Sequence, residues 1–556
     1  MSAAKKMDFL VRAPYALMVI VGMHLAIGIW SVVNIEVYSD AAFHLPIIRE
    51  IAETGDLQST HPLLYSLFGF PRFMPITVNY PPLYYVLCGY LYPLFGIKVG
   101  AWLELMGTTV LILLIFLIFR KLYNERVGLL SALIVGLSPA IKWAGWDQAA
   151  FVLPFGMLAF YTYLRILDHP KLSNLLVFSL SVTALVGIFQ PSYMFILAIL
   201  LHFVVYTTAK RRERADLVKA LLPLALLIAV GTVPVACYQI GTVGTLSTHT
   251  VNGWPVVDDV LHPDYLDVED WQRDIDQKVD IHKLERQGEQ YYYEINPRPW
   301  QLLARNPASF VNHYFNIFAQ FPLELPGLPE LTLPLLLFGG ILFASSLNWR
   351  RSSLLFIMGL GLIPYCYLAK VSYYPYTVVL LSSFFALSLY YMRERWPGQK
   401  LFPVVTIVVA LLALGYSIGG TVALKGHIDD RVAGPVQNLR VTGEWLRQHT
   451  AEDDKIMGAK TSEFPYYTNR TVFWDYRLFF LPEDDVVYHL KKYYKPKYVW
   501  IYPRSQLAEE WNDWREIPAD SPFLDVLQDE ELFMEVYNDH SAVIYQFVAL
   551  YPLDGG

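Results

Sequence analysis

Apolar runs long enough to cross a lipid bilayer recur along this chain of 556 residues, and no other feature restricts its fold as strongly. A hydrocarbon core of ~30 Å takes about 20 apolar residues in helical form. The first run, residues 14–34, is too long for a signal-peptide core and has no small-residue cleavage site, so it reads as a retained anchor. Further spans are expected at 101–119, 127–143, 149–165, 173–189, 192–208, 217–239, 331–348, 353–369, 374–392 and 402–424. Together they predict about eleven transmembrane helices. Only 17% of residues are charged, against about a quarter in soluble domains, so much of the surface must meet lipid. The mean hydropathy is +0.34. Aromatics reach 15%, with 38 Tyr and 14 Trp, residue types that favour the membrane–water interface. A net charge of −7 gives no footing for a nucleic-acid partner. Cys88, Cys237 and Cys366 lie in or beside apolar runs and read as small buried hydrophobes, not as a disulfide set.

Positive charge sets the orientation. Lys5, Lys6 and Arg12 precede the first run, and "RKLYNER", "KRRERADLVK", "NWRRSS" and "RERWPGQK" fall on the same side if the helices alternate. Short loops rich in Lys and Arg stay cytoplasmic. The opposite side then receives residues 35–100, residues 240–330 and everything after about 425. Residues 1–424 are expected to form the membrane domain, with 35–100 and 240–330 as its outer loops.

Within the first outer loop, "DAAFHLPIIREIAETG" has a helix pattern, with Ser39 as N-cap, Asp40 in the first turn, Pro46 as a kink and Gly55 as the stop. "NYPPLYYVLCGYLYPLFG" is apolar and Tyr-rich but broken by prolines, which suits a helix lying in the interface. From residue 425 to 556 the texture becomes that of a soluble α/β domain. "PVQNLRVTGEWLRQHT" and "DDVVYHLKKYYK" read as helices, and "DKIMGAK", "PKYVWIYP" and "SAVIYQFVAL" as strands. That segment has no Gly-rich phosphate loop, metal-ligand cluster or nucleophile elbow, so it reads as a lid or platform on the outer side.

An ionisable side chain kept at membrane depth costs at least ~2.5 kcal/mol and usually has a function. Asp40 follows the first run, and Asp147 sits in a short outer turn in "SPAIKWAGWDQAAF"; both belong to one face at similar depth. Asp40 admits two readings, a first-turn helix carboxylate or an acid held for chemistry, and Asp147 likewise reads as a helix start or as a partner of Asp40. His44, one turn after Asp40, can face the same way and hydrogen-bond it, orient a substrate or make a polar interfacial contact. His44 could also ligate a metal with Asp40, but two ligands carry no strong metal claim; no metal or cofactor is required, and a divalent metal is left without support. The Asp-Asp pairs at 258–259, 429–430, 453–454 and 484–485 read as solvated faces. Arg72, Lys142, Lys370 and Arg305 are cations at the outer interface that suit a lipid phosphate, with ordinary snorkelling as the alternative. Arg49 reads as the wet face of its helix.

Three stretches taken together resemble a known family: "YSDAAFHLPIIREIAETGDL" with "NYPPLYYVL", "LIFRKLYNERVGLLSALIVGLSPA", and "WDQAAFVLPFGMLAFYTYLR". The chain resembles the GT-C glycosyltransferases, and among them the group of protein O-mannosyltransferases and lipid A aminoarabinose transferases. The resemblance is best over about residues 10–165. It implies an α-helical polytopic membrane protein with an extracytoplasmic C-terminal domain. It also implies an aspartate in the first outer loop as catalytic base, here Asp40, and a second acid at the next outer turn, here Asp147. In the aminoarabinose transferases a lysine precedes the Pro-Pro-Leu motif and binds the lipid phosphate; here Tyr80 precedes Pro81, Pro82 and Leu83.

The reaction implied is transfer of a sugar from a polyprenyl-phosphate donor to an acceptor hydroxyl of a lipid, glycan or protein, with inversion, at the outer face of the cytoplasmic membrane. A polyprenyl phosphate is already a leaving group, so the metal that a nucleotide diphosphate would need is dispensable. A carboxylate within reach of the acceptor hydroxyl supplies the base. Two other classes compete. A polyprenyl-diphosphate oligosaccharide polymerase or ligase would need more cations, and a lipid scramblase or transporter would show internal repeats and midplane charges.

Overall fold

The computed structural model describes residues 3–37, 40–55, 82–138, most of 151–204, the segment 226–237, and most of 401–551. The first apolar run lies in helix α1, Ala3–Asn34, and α2 spans Asp40–Thr54. After residue 82 come α3, Leu83–Phe95, a single 3-10 turn at Gly96–Lys98, α4, Val99–Leu122, and α5, Glu125–Leu137. Next are α6, Leu153–Asp168, and α7, Leu172–Ile188. Among the described residues two helices, Pro14–Asn34 and Leu83–Leu122, are long and apolar enough to cross a membrane, and Leu172–Ile188 and Leu226–Cys237 are shorter apolar helices. The spans expected at 331–348, 353–369 and 374–392 lie outside the described residues, as does Cys366.

Local chemistry explains where these helices begin and end. Helix α2 stops at Gly55, whose φ of 75° is the left-handed conformation that glycine adopts without a Cβ penalty. Its amide donates to the Ile51 carbonyl at 3.0 Å. The helix runs on through Pro46. Between α4 and α5, the Asn124 side chain accepts from the amides of Arg126 and Val127 at 3.0 and 3.1 Å, an N-cap that satisfies two otherwise orphaned donors. Helices α4 and α5 then pack closely. A Cβ on Gly128 of α5 would stand 2.7 Å from the Phe116 carbonyl oxygen of α4, so only glycine lets the backbones meet.

One core joins α2 through α7. Ile47, Ile48 and Ile51 of α2 meet Tyr84, Tyr85 and Cys88 of α3, and this layer continues through Leu111, Ile115 and Phe119 of α4 to Phe160 and Phe178. Helix α1 joins along Ile20, Ile112, Phe116 and Ala132. A buried polar seam sits beside these contacts. His24 Nδ1 donates to the Gly136 carbonyl at 3.1 Å, leaving Nε2 to accept from the Thr108 hydroxyl at 3.0 Å. Cys88 is buried as expected, whereas Cys237 is exposed, because it ends a helix whose Val230 and Val233 are themselves exposed.

Helix α8, Leu401–Arg431, leads to a second unit built of α9, Gln437–His449, β1, Lys455–Gly458, α10, Phe464–Thr468, and β2, Thr471–Phe473. It continues with α11, Glu483–His489, β3, Tyr498–Ile501, α12, Pro522–Gln528, β4, Phe533–Asn538, and β5, Val543–Phe547. The five strands form one sheet in the order β2-β1-β3-β5-β4. The first three are parallel, and β5 and β4 are added antiparallel.

Side-chain alternation, with its period of two, divides the sheet into two buried faces. Ile456, Tyr498, Trp500 and Ile544 point to α9, where Leu439 and Leu446 cover them. Met457, Val499 and Phe547 point to the other face, where Val486 and Leu490 close it together with Phe523 and Val526 of α12. Strands β1, β3 and β5 and helices α9 and α11 fall on the stretches the sequence marks for them. Strands β2 and β4 are additional.

Candidate active site

Helix α2 begins at Asp40; Ser39 and the Asp40 side chain lie outside the described residues. One turn further on, His44 is 4% exposed, and its Nδ1 lies 2.8 Å from the Tyr85 hydroxyl, which can donate to it. The imidazole also meets the rings of Tyr84 and Tyr85 edge-on, with centroids 6.1 and 5.4 Å away. Tyr84 in turn contacts Phe151 at 5.9 Å. The "PPLYY" motif thus supplies two buried rings that clasp the first turns of α2. Close approach makes this possible: a Cβ on Gly89 would stand 2.5 Å from the Ile51 side chain and 3.4 Å from the Ile48 carbonyl oxygen.

The start of α2 is fixed from two further directions. Lys98, at the turn between α3 and α4, donates to the carbonyl oxygens of Val32 and Val33 at 2.7 and 2.8 Å, closing the end of α1 just before the link to Asp40. From the sheet-bearing unit, Arg440 of α9 pairs with Glu36, and Tyr466 of α10 packs with Val37, Leu45 and Tyr92. Burial opposes the charge on Arg440, but its hydrogen bonds to Glu36 and Tyr467 outweigh this and hold the guanidinium above its ordinary range. Burial pushes the Tyr466 phenol up, so it packs as a neutral ring.

Arg49, read from the sequence as a wet-face residue, instead donates to the Asn469 side chain and is part-buried. Asn469 itself holds a φ of 53°, tolerable for asparagine. Next to it, Arg470 is 6% exposed and donates to the carbonyls of Arg447 and Thr450 at 2.9 and 2.7 Å, so it caps the end of α9. The "NRT" at 469–471 is therefore a structural junction: one residue docks on α2, the next caps α9, and the third opens β2. Nothing in single-residue chemistry marks that role, because it depends on partners about 20 and 420 positions away.

Of the residues singled out from sequence, the structure places His44 and the backbone of Asp40 together at the start of α2. Asp147, Arg72, Tyr80, Lys142, Arg305 and Lys370 lie outside the described residues. Two further cations are committed elsewhere, Lys98 to α1 and Arg49 to Asn469. Among the described residues no three His, Cys, Asp or Glu side chains gather as a metal set.

Solved structures of two kinds share this fold. The structure of ArnT from Cupriavidus metallidurans in its apo state superposes with a TM-score of 0.56 at 14% identity, covering 98% of both chains. The same protein bound to undecaprenyl phosphate gives 0.52, again at 14% identity and 98% of both chains. The archaeal oligosaccharyltransferase AglB from Archaeoglobus fulgidus, in complex with an inhibitory peptide and a dolichol-phosphate, gives 0.57 at 12% identity, covering 90% of this chain and 70% of that one. This chain has the GT-C fold. A family model described as dolichyl-phosphate-mannose-protein mannosyltransferase matches residues 79–238, a stretch that starts at the Asn of "NYPPLYY" and takes in helices α3 to α7. A comparison with curated protein sequences gives no match.

Proposed function

We propose that this chain is an integral membrane glycosyltransferase that moves a sugar from a polyprenyl-phosphate-linked donor to an acceptor hydroxyl on the extracytoplasmic face. Asp40 is the general base. The acceptor O–H gives its proton to the Asp40 carboxylate while its oxygen attacks the anomeric carbon. The bond from that carbon to the phosphate oxygen breaks, and polyprenyl phosphate leaves with the electron pair. Displacement from the opposite side inverts the anomeric centre.

The observation that carries this reading is the way Asp40 is held. It opens a helix whose next turn is locked into the "PPLYY" aromatic pair by the His44–Tyr85 hydrogen bond. A capping carboxylate has no need of such anchoring. A base does, since reacting atoms must be held within about an ångström of their productive geometry. His44, with Nδ1 engaged by Tyr85, positions α2. Asp147 stands four residues before Phe151, which packs on Tyr84, and this supports a shared cavity in which it orients the acceptor. Arg72, Lys142, Lys370 and Arg305 remain the candidates for stabilising the phosphate, with Tyr80 beside the donor.

Fold likeness to proteins solved with undecaprenyl phosphate and dolichol-phosphate supports a polyprenyl-phosphate donor with about eleven membrane spans around it. The C-terminal α/β unit then lies on the outer side, where it braces α2. No metal or cofactor is needed for this chemistry. Purified protein supplied with polyprenyl-phosphate sugars tests the reading. Release of polyprenyl phosphate with transfer of the sugar supports it. Turnover only of diphosphate-linked oligosaccharides selects the polymerase or ligase class, and lipid movement without bond cleavage selects a transporter.

A further inference from the structure

A second site lies at the opposite end of the bundle. Helix α4 carries Lys98 at its start and Arg120 and Lys121 in its last turn, and its 24 residues place these ends about 36 Å apart at ~1.5 Å per residue. There Arg120 and Lys121 converge with Arg165 from the last turn of α6 and Lys171 at the start of α7 around a cavity of about 440 Å³. One carboxylate, Asp168, shares this cavity with the four cations and pairs with Lys121 at 2.5 Å. Arg120 lies over the Phe116 ring and Arg165 over the Tyr161 ring, each 5.9 Å from the centroid. The rings take one face of each guanidinium, so their N–H edges stay available to an anion.

Cations at helix ends commonly snorkel to the interface one by one. These four come from three helices and line one concavity, which is the arrangement that holds a phosphate. The surface leading away from it is apolar. From Lys171, Leu172, Leu176 and Leu180 follow at four-residue spacing along α7, and they are 71%, 53% and 68% exposed. They form a ridge on one helix face, against which an acyl chain can lie when the headgroup sits in the cavity.

We propose that this cavity binds the phosphate headgroup of an anionic membrane lipid in the leaflet opposite the Asp40 site. The assignment rests on the membrane-spanning reading given above, but not on the transfer chemistry. The lipid neutralises the clustered cations and ties α4, α6 and α7 together at their basic ends.

Full-length protein in a neutral detergent is titrated with phosphatidylglycerol, phosphatidylcholine or inorganic phosphate. Thermal unfolding and lipid retained in native mass spectra are both read. Phosphatidylglycerol raises Tm by several degrees and stays bound, and this shift falls as salt is raised. Phosphatidylcholine and inorganic phosphate at the same concentration do not reproduce it. In Arg120→Gln/Arg165→Gln protein with an unchanged circular dichroism spectrum, the shift is lost; Lys171→Gln, at an exposed position, weakens it at least threefold. An equal shift with phosphatidylcholine, or a shift insensitive to both salt and variant, overturns the site. An equal shift with inorganic phosphate overturns the lipid as its occupant. The salt titration of unmodified protein decides the matter even if the double variant fails to fold, and no arm depends on glycosyl transfer.

Discussion

His44 and Tyr85 meet at 2.8 Å in a pocket closed to solvent, fastening the helix that begins at Asp40 to the first helix of the "PPLYY" segment. Removing the Tyr85 hydroxyl leaves a buried imidazole nitrogen without that partner, which costs about 1–3 kcal/mol. Tyr85→Phe should therefore lower Tm by several degrees. It should also slow turnover by about tenfold or more, with KM little changed, because a small displacement of a catalytic group is expensive. Steady-state kinetics beside a thermal melt check both parts. A melt that falls while kcat stays constant would confine the pair to stability.

Asn469 and Arg470 are neighbours with different duties, so their alanine variants should behave differently. Asn469→Ala removes the contact with Arg49 at the junction between α2 and the sheet-bearing unit. Alanine takes the left-handed φ of 53° less readily than asparagine, so stability should fall by about 1–2 kcal/mol, and hydrogen exchange around 464–468 should quicken. Arg470→Ala uncaps the end of α9 and takes the donor from a buried carbonyl at Thr450 and a part-buried one at Arg447, for a loss of about 1–3 kcal/mol. Its effect should appear as exchange across α9 and β2. Exchange mapping of the two variants separates docking from folding.

Two glycines should respond in opposite ways to the same change. Intrinsic helix propensity favours alanine over glycine by about 1 kcal/mol, and a Cβ on Gly22 of α1 meets nothing within 4 Å, so Gly22→Ala should stabilise modestly. At Gly128 the new Cβ would stand 2.7 Å from a backbone oxygen, which cannot swing aside. Strain of that kind costs about 1–3 kcal/mol and outweighs the propensity gain, so Gly128→Ala should lower Tm. Parallel melts of the two proteins in detergent test the sign.

How far the sequence could be read depended on the range of the interaction involved. The helix from Asp40 to Gly55 is written locally, in a periodic apolar face and a glycine stop, and it stands with both ends where that pattern puts them. The strands at 455, 498 and 543 are apolar runs bounded by polar turns and were equally legible. Strand β2 has only three residues, and β4 is an edge strand with Met534 and Glu535 exposed, so neither carries enough alternation to be seen. Arg49 illustrates the other limit. Its place on a polar helix face is local, but the Asn469 that covers it arrives from the far end of the chain. The basic cavity is not read from the sequence: "RKLYNER" serves there only to set orientation, and its convergence with Arg165 and Lys171 requires the packing of α4 on α6.

Turnover of Asp40→Asn protein on a polyprenyl-phosphate sugar tests the central claim most directly. The substitution keeps the size of the side chain and removes the base. General-base catalysis contributes typically about 10²–10⁴-fold, so kcat should fall by at least about a hundredfold, with donor binding retained and Tm shifted by no more than a few degrees. Turnover within a few-fold of the unmodified protein would contradict the account and return Asp40 to the role of a helix cap.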